Sequence, residues 1–295
     1  MKSKILIAVL ILCTAAMAGA QDLRASLLYK IKLGEHAAPA DVVLYDDGRT
    51  GIYDAYSGRY TVYKGDVSEG GFQSEMLKGG NCFVANGNYF LYCDSVNSSV
   101  DMISASGELY KSFSIPSDIK GKYDPTDALV SDGFLFTADN DNHRVVKADL
   151  ATGEVAMVQG GYGDSKLKFW YPYALSMDSK GVLYVSEVLN TRVQKITKEL
   201  KFYEFYGSWG IKPGEFFRPT GVAVYKGDNV LVGDGYTGVI QYLDNEGRFT
   251  GLLKDKSGNR LSLGSVTHIR VNGDRLGVVD AFGKTVYIFE LEELK

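Results

Sequence analysis

Short runs of alternating apolar and polar residues recur along this chain, and six of them end in an acidic residue. The clearest is Val230-Leu231-Val232-Gly233-Asp234, and the six acids are Asp54, Asp94, Asp139, Glu187, Asp234 and Asp280. Three residues after each acid stands Ser57, Asn97, Asn142, Asn190, Thr237 or Gly283. Six after it stands Tyr60, Val100, Val145, Val193, Ile240 or Val286. The acids lie roughly 40 to 48 residues apart, the period of propellers, solenoids and related arrays.

One period predicts four strands. After Pro219, Val222-Ala223-Val224 alternates, Lys226-Gly227-Asp228-Asn229 turns, and Val230–Asp234 is a second strand. Val239–Leu243 and Arg248–Leu253 follow, separated by Asn245-Glu246-Gly247. Four antiparallel strands joined by short turns make one propeller blade. The other periods fit the same frame, and no segment holds a 3.6-residue periodicity, so almost no helix is expected.

The last period places strands at Thr267–Val271, Leu276–Asp280 and Thr285–Leu291 and lacks a fourth. Tyr29-Lys30-Ile31-Lys32-Leu33, near the other end, alternates strictly and belongs to no hairpin of its own. The expected fold is therefore all-β: a single six-bladed propeller of four-stranded antiparallel blades. The N-terminal strand completes the last blade and closes the ring, which hides the edges of an open sheet.

Several stretches resemble the NHL repeat. They are Gly207-Ser208-Trp209-Gly210 with Pro213 to Val224, then Phe169-Trp170-Tyr171-Pro172 with Leu189 to Gln194, then Asp139 with Asn142-His143-Arg144-Val145. The match is close in about half the chain and rests on spacing elsewhere. The resemblance implies a six-bladed NHL propeller without implying one activity, since that family includes binding modules and enzymes. Its peptide-amidating lyases hold zinc through histidines beside the repeat prolines, and a related lactonase group holds calcium through Asp, Asn and Glu. Here the positions after the prolines are Ala40, Thr126, Tyr173, Thr220 and, by alignment, Thr267, none of them histidine. His36, His143 and His268 fall at three different registers, against a three-histidine zinc site.

The ends and composition narrow the setting. Lys2 and Lys4, the apolar run Ile5–Leu12 and Ala18-Gly19-Ala20 read as a secretory signal over residues 1–20. The propeller then occupies 21–295, and the expected location is periplasmic or secreted. The net charge of −4 becomes two units more negative without Lys2 and Lys4, which disfavours nucleic acid as a partner. No later run is long and apolar enough for a membrane span. The chain has 34 Gly and 20 Tyr against 6 Pro and no low-complexity linker, so one β-rich, monomeric body is expected. A turn at Gly87-Asn88 would set Cys82 opposite Cys93. The pair is then either a disulfide, which an oxidising compartment permits, or two small buried hydrophobes.

The six repeated acids read as framework. A carboxylate at a strand end accepts backbone or Arg hydrogen bonds and fixes the next turn, and Arg144 and Arg192 are the expected partners. Function is sought where blades differ. One register before each inner strand holds Asp41, Asn81, Asp127, Ala174, Gly221 and His268. Asp41, Asn81, Asp127 and His268 would form an arc able to hold calcium or zinc, or to do acid–base work. A solvated polar channel with no cofactor is the expectation over that metal site. Across the ring, Trp170, Tyr171, Tyr173 and Arg218 gather aromatic and guanidinium groups suited to recognition. The expected function is a scaffold that binds a protein or peptide. The alternative is a metal-dependent lyase or hydrolase with its site at the channel mouth.

Overall fold

A computed structural model describes residues 22–294; the expected signal segment lies outside the described residues. The chain begins with β1 (Asp22–Lys32). Blade one is β2 (Pro39–Leu44), β3 (Thr50–Asp54), β4 (Arg59–Lys64) and β5 (Val67–Gln73). Blade two is β6 (Phe83–Asn86), β7 (Tyr89–Asp94), β8 (Ser99–Ser104) and β9 (Leu109–Phe113). Blade three is β10 (Pro125–Ser131), β11 (Phe134–Asp139), β12 (Arg144–Asp149) and β13 (Val155–Gly160). Blade four is β14 (Pro172–Met177), β15 (Val182–Glu187), β16 (Arg192–Thr197) and β17 (Phe202–Tyr206). Blade five is β18 (Pro219–Tyr225), β19 (Asn229–Asp234), β20 (Ile240–Leu243) and β21 (Phe249–Leu252). Blade six is β22 (His268–Asn272), β23 (Arg275–Asp280) and β24 (Thr285–Leu294), with β1 antiparallel to β24 as its outer strand.

The first strand of each blade lies innermost, and β22 packs against β2, so the ring is closed. The predicted propeller is present, and its closing strand is longer than the five alternating residues suggested. Helix among the described residues is confined to single 3-10 turns at Glu75–Leu77 and Lys226–Asp228.

Alternation explains how the blades stick together. One face of each sheet meets the preceding blade and the other meets the next, so the buried apolar residues fall into clusters between neighbours. Tyr53, Phe83 and Tyr92 join blades one and two, and Phe136, Phe169 and Leu183 join three and four. Ile31, Val42 and Ile288 seal the junction of six and one. Burying a large apolar side chain contributes roughly 1.5–3 kcal/mol before entropy is charged against it. The ring is held by many such contacts rather than by one central core.

The framework acids act as expected. All six end the second strand of their blade. Asp234 accepts N–H bonds from Phe217, Arg218, Tyr236 and Thr237, tying the loop before the blade to the turn after the acid. Arg144 Nε lies 2.5 Å from Asp139 and Arg192 Nε 2.7 Å from Glu187, both pairs buried. The residue four after each acid has a left-handed backbone: Gly58, Ser98, His143, Thr191, Gly238 and Lys284. Only two of these are glycine, so the residue types did not announce the conformation. The carboxylate, by accepting N–H groups of the turn, helps hold the other four in a region non-glycine residues seldom visit.

The Gly87-Asn88 turn is also present, with Phe83 opposite Tyr92 and Val84 opposite Leu91. Cys82 and Cys93 are disulfide-bonded, their Cα atoms 4.9 Å apart. The bridge closes a short loop within a hairpin already sealed by ladder bonds and the core between blades two and three. A Cys82→Ala/Cys93→Ala variant is therefore expected to lose about 2–3 kcal/mol and to keep a cooperative urea transition. Loss of cooperativity would show that the bridge is needed for the fold.

Candidate functional site

The inner strands place two rings of side chains around the channel. The first, immediately after the prolines of four blades and after Gly80 and Val266 in the other two, is Ala40, Asn81, Thr126, Tyr173, Thr220 and Thr267. Three of these stitch a blade to the next. Asn81 Nδ2 donates to the carbonyl of Pro125 at 3.1 Å, Thr126 Oγ1 to that of Tyr173 at 2.9 Å, and Thr220 Oγ1 to that of Val266.

The second ring is Asp41, Cys82, Asp127, Ala174, Gly221 and His268. This corrects the expected arc in blade two. Asp41 lies opposite Tyr53, Asp127 opposite Ala138, Gly221 opposite Gly233 and His268 opposite Val279, always the residue before a framework acid. In blade two that residue is Cys93, and its disulfide partner Cys82 takes the place. Asn81 sits one step earlier, half-buried and facing blade three. Cys82 resembles the first inward apolar residue of a strand, and blade two has Gly80 where four blades have proline; both shifted the alignment.

Asp41, Asp127 and His268 do converge. Their nearest ligand atoms lie within 4.8 Å of one another, and the residues are 0%, 0% and 1% exposed. Arg270, absent from the sequence-level candidates, completes the group. It follows His268 by two residues on β22, so strand alternation puts both on one face. Its guanidinium bridges the two acids: Nε to Asp41 Oδ1 at 3.0 Å, Nη2 to Asp41 Oδ2 at 2.7 Å, Nη2 to Asp127 Oδ1 at 2.6 Å and Nη1 to Asp127 Oδ2 at 3.2 Å.

Backbone N–H groups supply the remaining bonds. Asp41 accepts from Val42 and from Phe83 of blade two, and Asp127 from Ala128 and from Leu175 of blade four. Burial alone would raise the Asp127 carboxyl, but Arg270 and His268 beside it hold it well below the usual carboxylate range. The same acids raise Arg270 against the effect of burial. Every carboxylate oxygen thus already accepts one backbone and one guanidinium N–H, so a divalent ion here would have to expel Arg270. The chemistry of this donor set fits a buried ion-pair tie better than a metal cradle.

His268 is held differently. Its Nε2 is 3.9 Å from Asp41 Oδ1 and 3.6 Å from Asp127 Oδ2, and among the described residues it makes no hydrogen bond. The Tyr173 ring lies 6.3 Å from the imidazole. Burial, then the charges of Asp127, Asp41 and Asp124, push the Tyr173 phenol up to about 12. The other histidines stay apart: His36 meets Tyr56, and His143 accepts the Tyr171 N–H at Nδ1.

Tyr173 also belongs to a cavity of about 480 Å³ at the mouth, where Tyr171, Arg218 and Phe282 form its other large walls. Three of the four aromatic and guanidinium candidates therefore meet. Phe282 is 83% exposed, and the Arg218 guanidinium has no carboxylate partner among the described residues. Trp170 lines a neighbouring cavity of about 520 Å³ instead. The two cavities share Leu189 as a wall. Trp170 and Tyr171 adjoin in sequence, but Tyr171 is left-handed (φ 56°), and the two side chains line different cavities.

No protein-family model matches the chain, and no curated protein matches it. Solved structures do. A structural-genomics protein of unknown function from Bacteroides thetaiotaomicron aligns with TM-score 0.69 and 15% identity, over 92% of this chain and 76% of that one. A catalytically inactive virginiamycin B lyase from Staphylococcus aureus, solved with quinupristin, aligns with TM-score 0.64 and 12% identity, over 92% and 99% of the two chains. A gluconolactonase from Xanthomonas campestris aligns with TM-score 0.63 and 12% identity, over 95% and 93%. At such identity the likeness is one of fold. The NHL resemblance stands only as a six-bladed propeller similar to lyase and gluconolactonase structures.

Proposed function

We propose that this chain is an exported, monomeric propeller that binds a protein or peptide segment in its mouth cavity. The observation that carries the reading is the exposed Arg218, with no carboxylate partner among the described residues, beside Tyr171, Tyr173 and Phe282. An exposed guanidinium among aromatic rings suits a segment bearing a carboxylate and an apolar neighbour. Against catalysis in the channel, Arg270 fills the space between the acids, and His268 is almost wholly buried.

The reading is tested by native pull-down from a periplasmic or culture-supernatant fraction, comparing wild type with an Arg218→Ala/Phe282→Ala variant. Both side chains are exposed, so the fold is expected to survive. A retained partner should bind the variant at least about tenfold more weakly, the scale of a truncated hot-spot residue. Equal retention would remove the mouth cavity from the argument.

A metal-dependent lyase or hydrolase remains the second reading. It is favoured by the orphan Nε2 of His268 and by the enzymes among the structural neighbours. Stoichiometric calcium or zinc in the purified protein, lost in an Asp41→Ala/His268→Ala variant, would put this reading first.

A further inference from the structure

We propose that the cavity beside the mouth, walled by Tyr162, Trp170 and Trp209, is a carbohydrate subsite that takes a neutral pyranose. It stands apart from the peptide reading of the mouth and does not rest on it.

The cavity is made by a duplicated loop. Tyr162 precedes Phe169, and Trp209 precedes Phe216, by the same number of residues, and each forms an isolated parallel bridge to that phenylalanine. The hydrogen bonds repeat too. Phe169 N–H donates to Gly161 O at 3.1 Å and Phe216 N–H to Ser208 O at 2.8 Å. Gly163 and Gly210 return the bond at 3.2 and 3.0 Å. Loops of one shape on adjacent blades show an aromatic ring at equivalent places, and both rings line this one cavity.

Trp170 adds a third ring, with Tyr162 edge-on to it at 5.4 Å and 81°. Its counterpart in blade five, Phe217, is covered by Tyr236 at 4.3 Å. Trp170 instead lines open space. Both tryptophans of the chain stand here, and Trp209 is 72% and Tyr162 64% exposed. Such rings add little to the core, and aromatic groups kept in water mark recognition surfaces.

The polar groups select the ligand. Among the described residues no lysine or arginine lines the cavity, and Asp164 does, so phosphates and other anions are disfavoured. The Asp164 carboxylate has no side-chain or backbone donor among the described residues. Asn190 commits its Nδ2 to Glu187 and to Gly163 O, which leaves its Oδ1 as an acceptor. The site therefore offers acceptors, indole N–H donors and ring faces together. A pyranose matches that set: its hydroxyls donate and accept, and the C–H bonds of its flat face meet the negative face of an aromatic ring. The volume of about 520 Å³ falls in the small-ligand range of roughly 300–1,000 Å³.

Because both tryptophans lie in the site, intrinsic tryptophan fluorescence of the whole protein reports on it alone. Titration with cellotetraose and with tri-N-acetylchitotriose should give a saturable change for at least one, with a Kd of about 1 mM or tighter. Calorimetry with Trp209→Ala and with Asp164→Ala should show at least about tenfold weaker binding, while Arg218→Ala binds as wild type does. All three positions are on the surface, and unchanged thermal unfolding would confirm that the variants are folded. No saturable change with either oligosaccharide would overturn the proposal. So would binding that survives undiminished in Trp209→Ala, or a response only to an aromatic peptide.

Discussion

Arg270→Met is expected to cost about 3–5 kcal/mol of stability at neutral pH, the usual loss when one partner of a buried ion pair is removed. Asp41 and Asp127 have no exposed surface, and the variant leaves two carboxylates with backbone N–H groups and the His268 imidazole but no guanidinium. The pH dependence should change sign. In the native protein the Asp127 carboxyl is held below its ordinary value. Its contribution is thus complete above an unfolded pKa of about 4 and is lost only as pH falls toward the depressed folded value. Without Arg270, burial dominates and the folded carboxyl rises above the unfolded one. The folded variant then binds the extra proton, so its stability increases as pH falls from 8 to 5. Urea denaturation at those two pH values checks both points. An Asp41→Asn/Asp127→Asn/Arg270→Met protein should regain much of the loss. A cost below about 1 kcal/mol in the single variant would mean that the tie is not energetically important.

Removing β1 is the second large perturbation. The strand pairs with β24 from Asp22–Leu294 to Lys32–Thr285 and buries Leu23, Ala25 and Ile31. A protein starting at Gly34 would expose the edge of β24 and the apolar side chains of the blade five–six junction. It is expected to aggregate, or to unfold without a cooperative transition. What matters is the strand's position and not its order in the chain, and a circular permutant separates the two. Asp22 lies opposite Leu294, so a short turn can join the end of β24 to β1 as an ordinary hairpin, with new termini between Gly34 and Glu35. That permutant should be soluble, with a native-like circular dichroism spectrum and a cooperative melt. A permutant as defective as the deletion would count against closure as the reason for β1's importance.

The ease of reading the fold and the difficulty of reading the site share a cause. Blade spacing and ring closure depend on features that every blade repeats, namely alternation, turn residues and an acid at one register. Six noisy copies reinforce one another. The site depends on single departures from the repeat, where no copy corrects an error. Cys82, itself buried between blades two and three, was aligned with the first inward apolar residue of a strand and so put Asn81 one position out, although the facing of Cys82 and Cys93 was itself legible from the turn. Arg270 shares a strand face with His268 by simple alternation, yet a comparison of one residue per blade does not reach two positions further. Tyr171, Tyr173 and Arg218 were findable as a group because they flank equivalent prolines. Trp170 separated from them because loop residues, unlike strand residues, have no fixed period to say which way each side chain turns. Tyr162 and Trp209 carried a detectable signal, an aromatic ring between small residues at a constant distance from the Phe-x-x-Pro segment.

Arg270 starts on blade six and reaches Asp127 on blade three, across the axis of the ring, with Asp41 of blade one on the way. A propeller channel crossed in this manner is a partition and not a conduit. Solutes arriving at the mouth meet Tyr173 and Thr267, while His268 and the two acids stay buried beneath them. Substitutions on the opposite side of the disc are therefore expected to leave a ligand in the mouth cavity undisturbed.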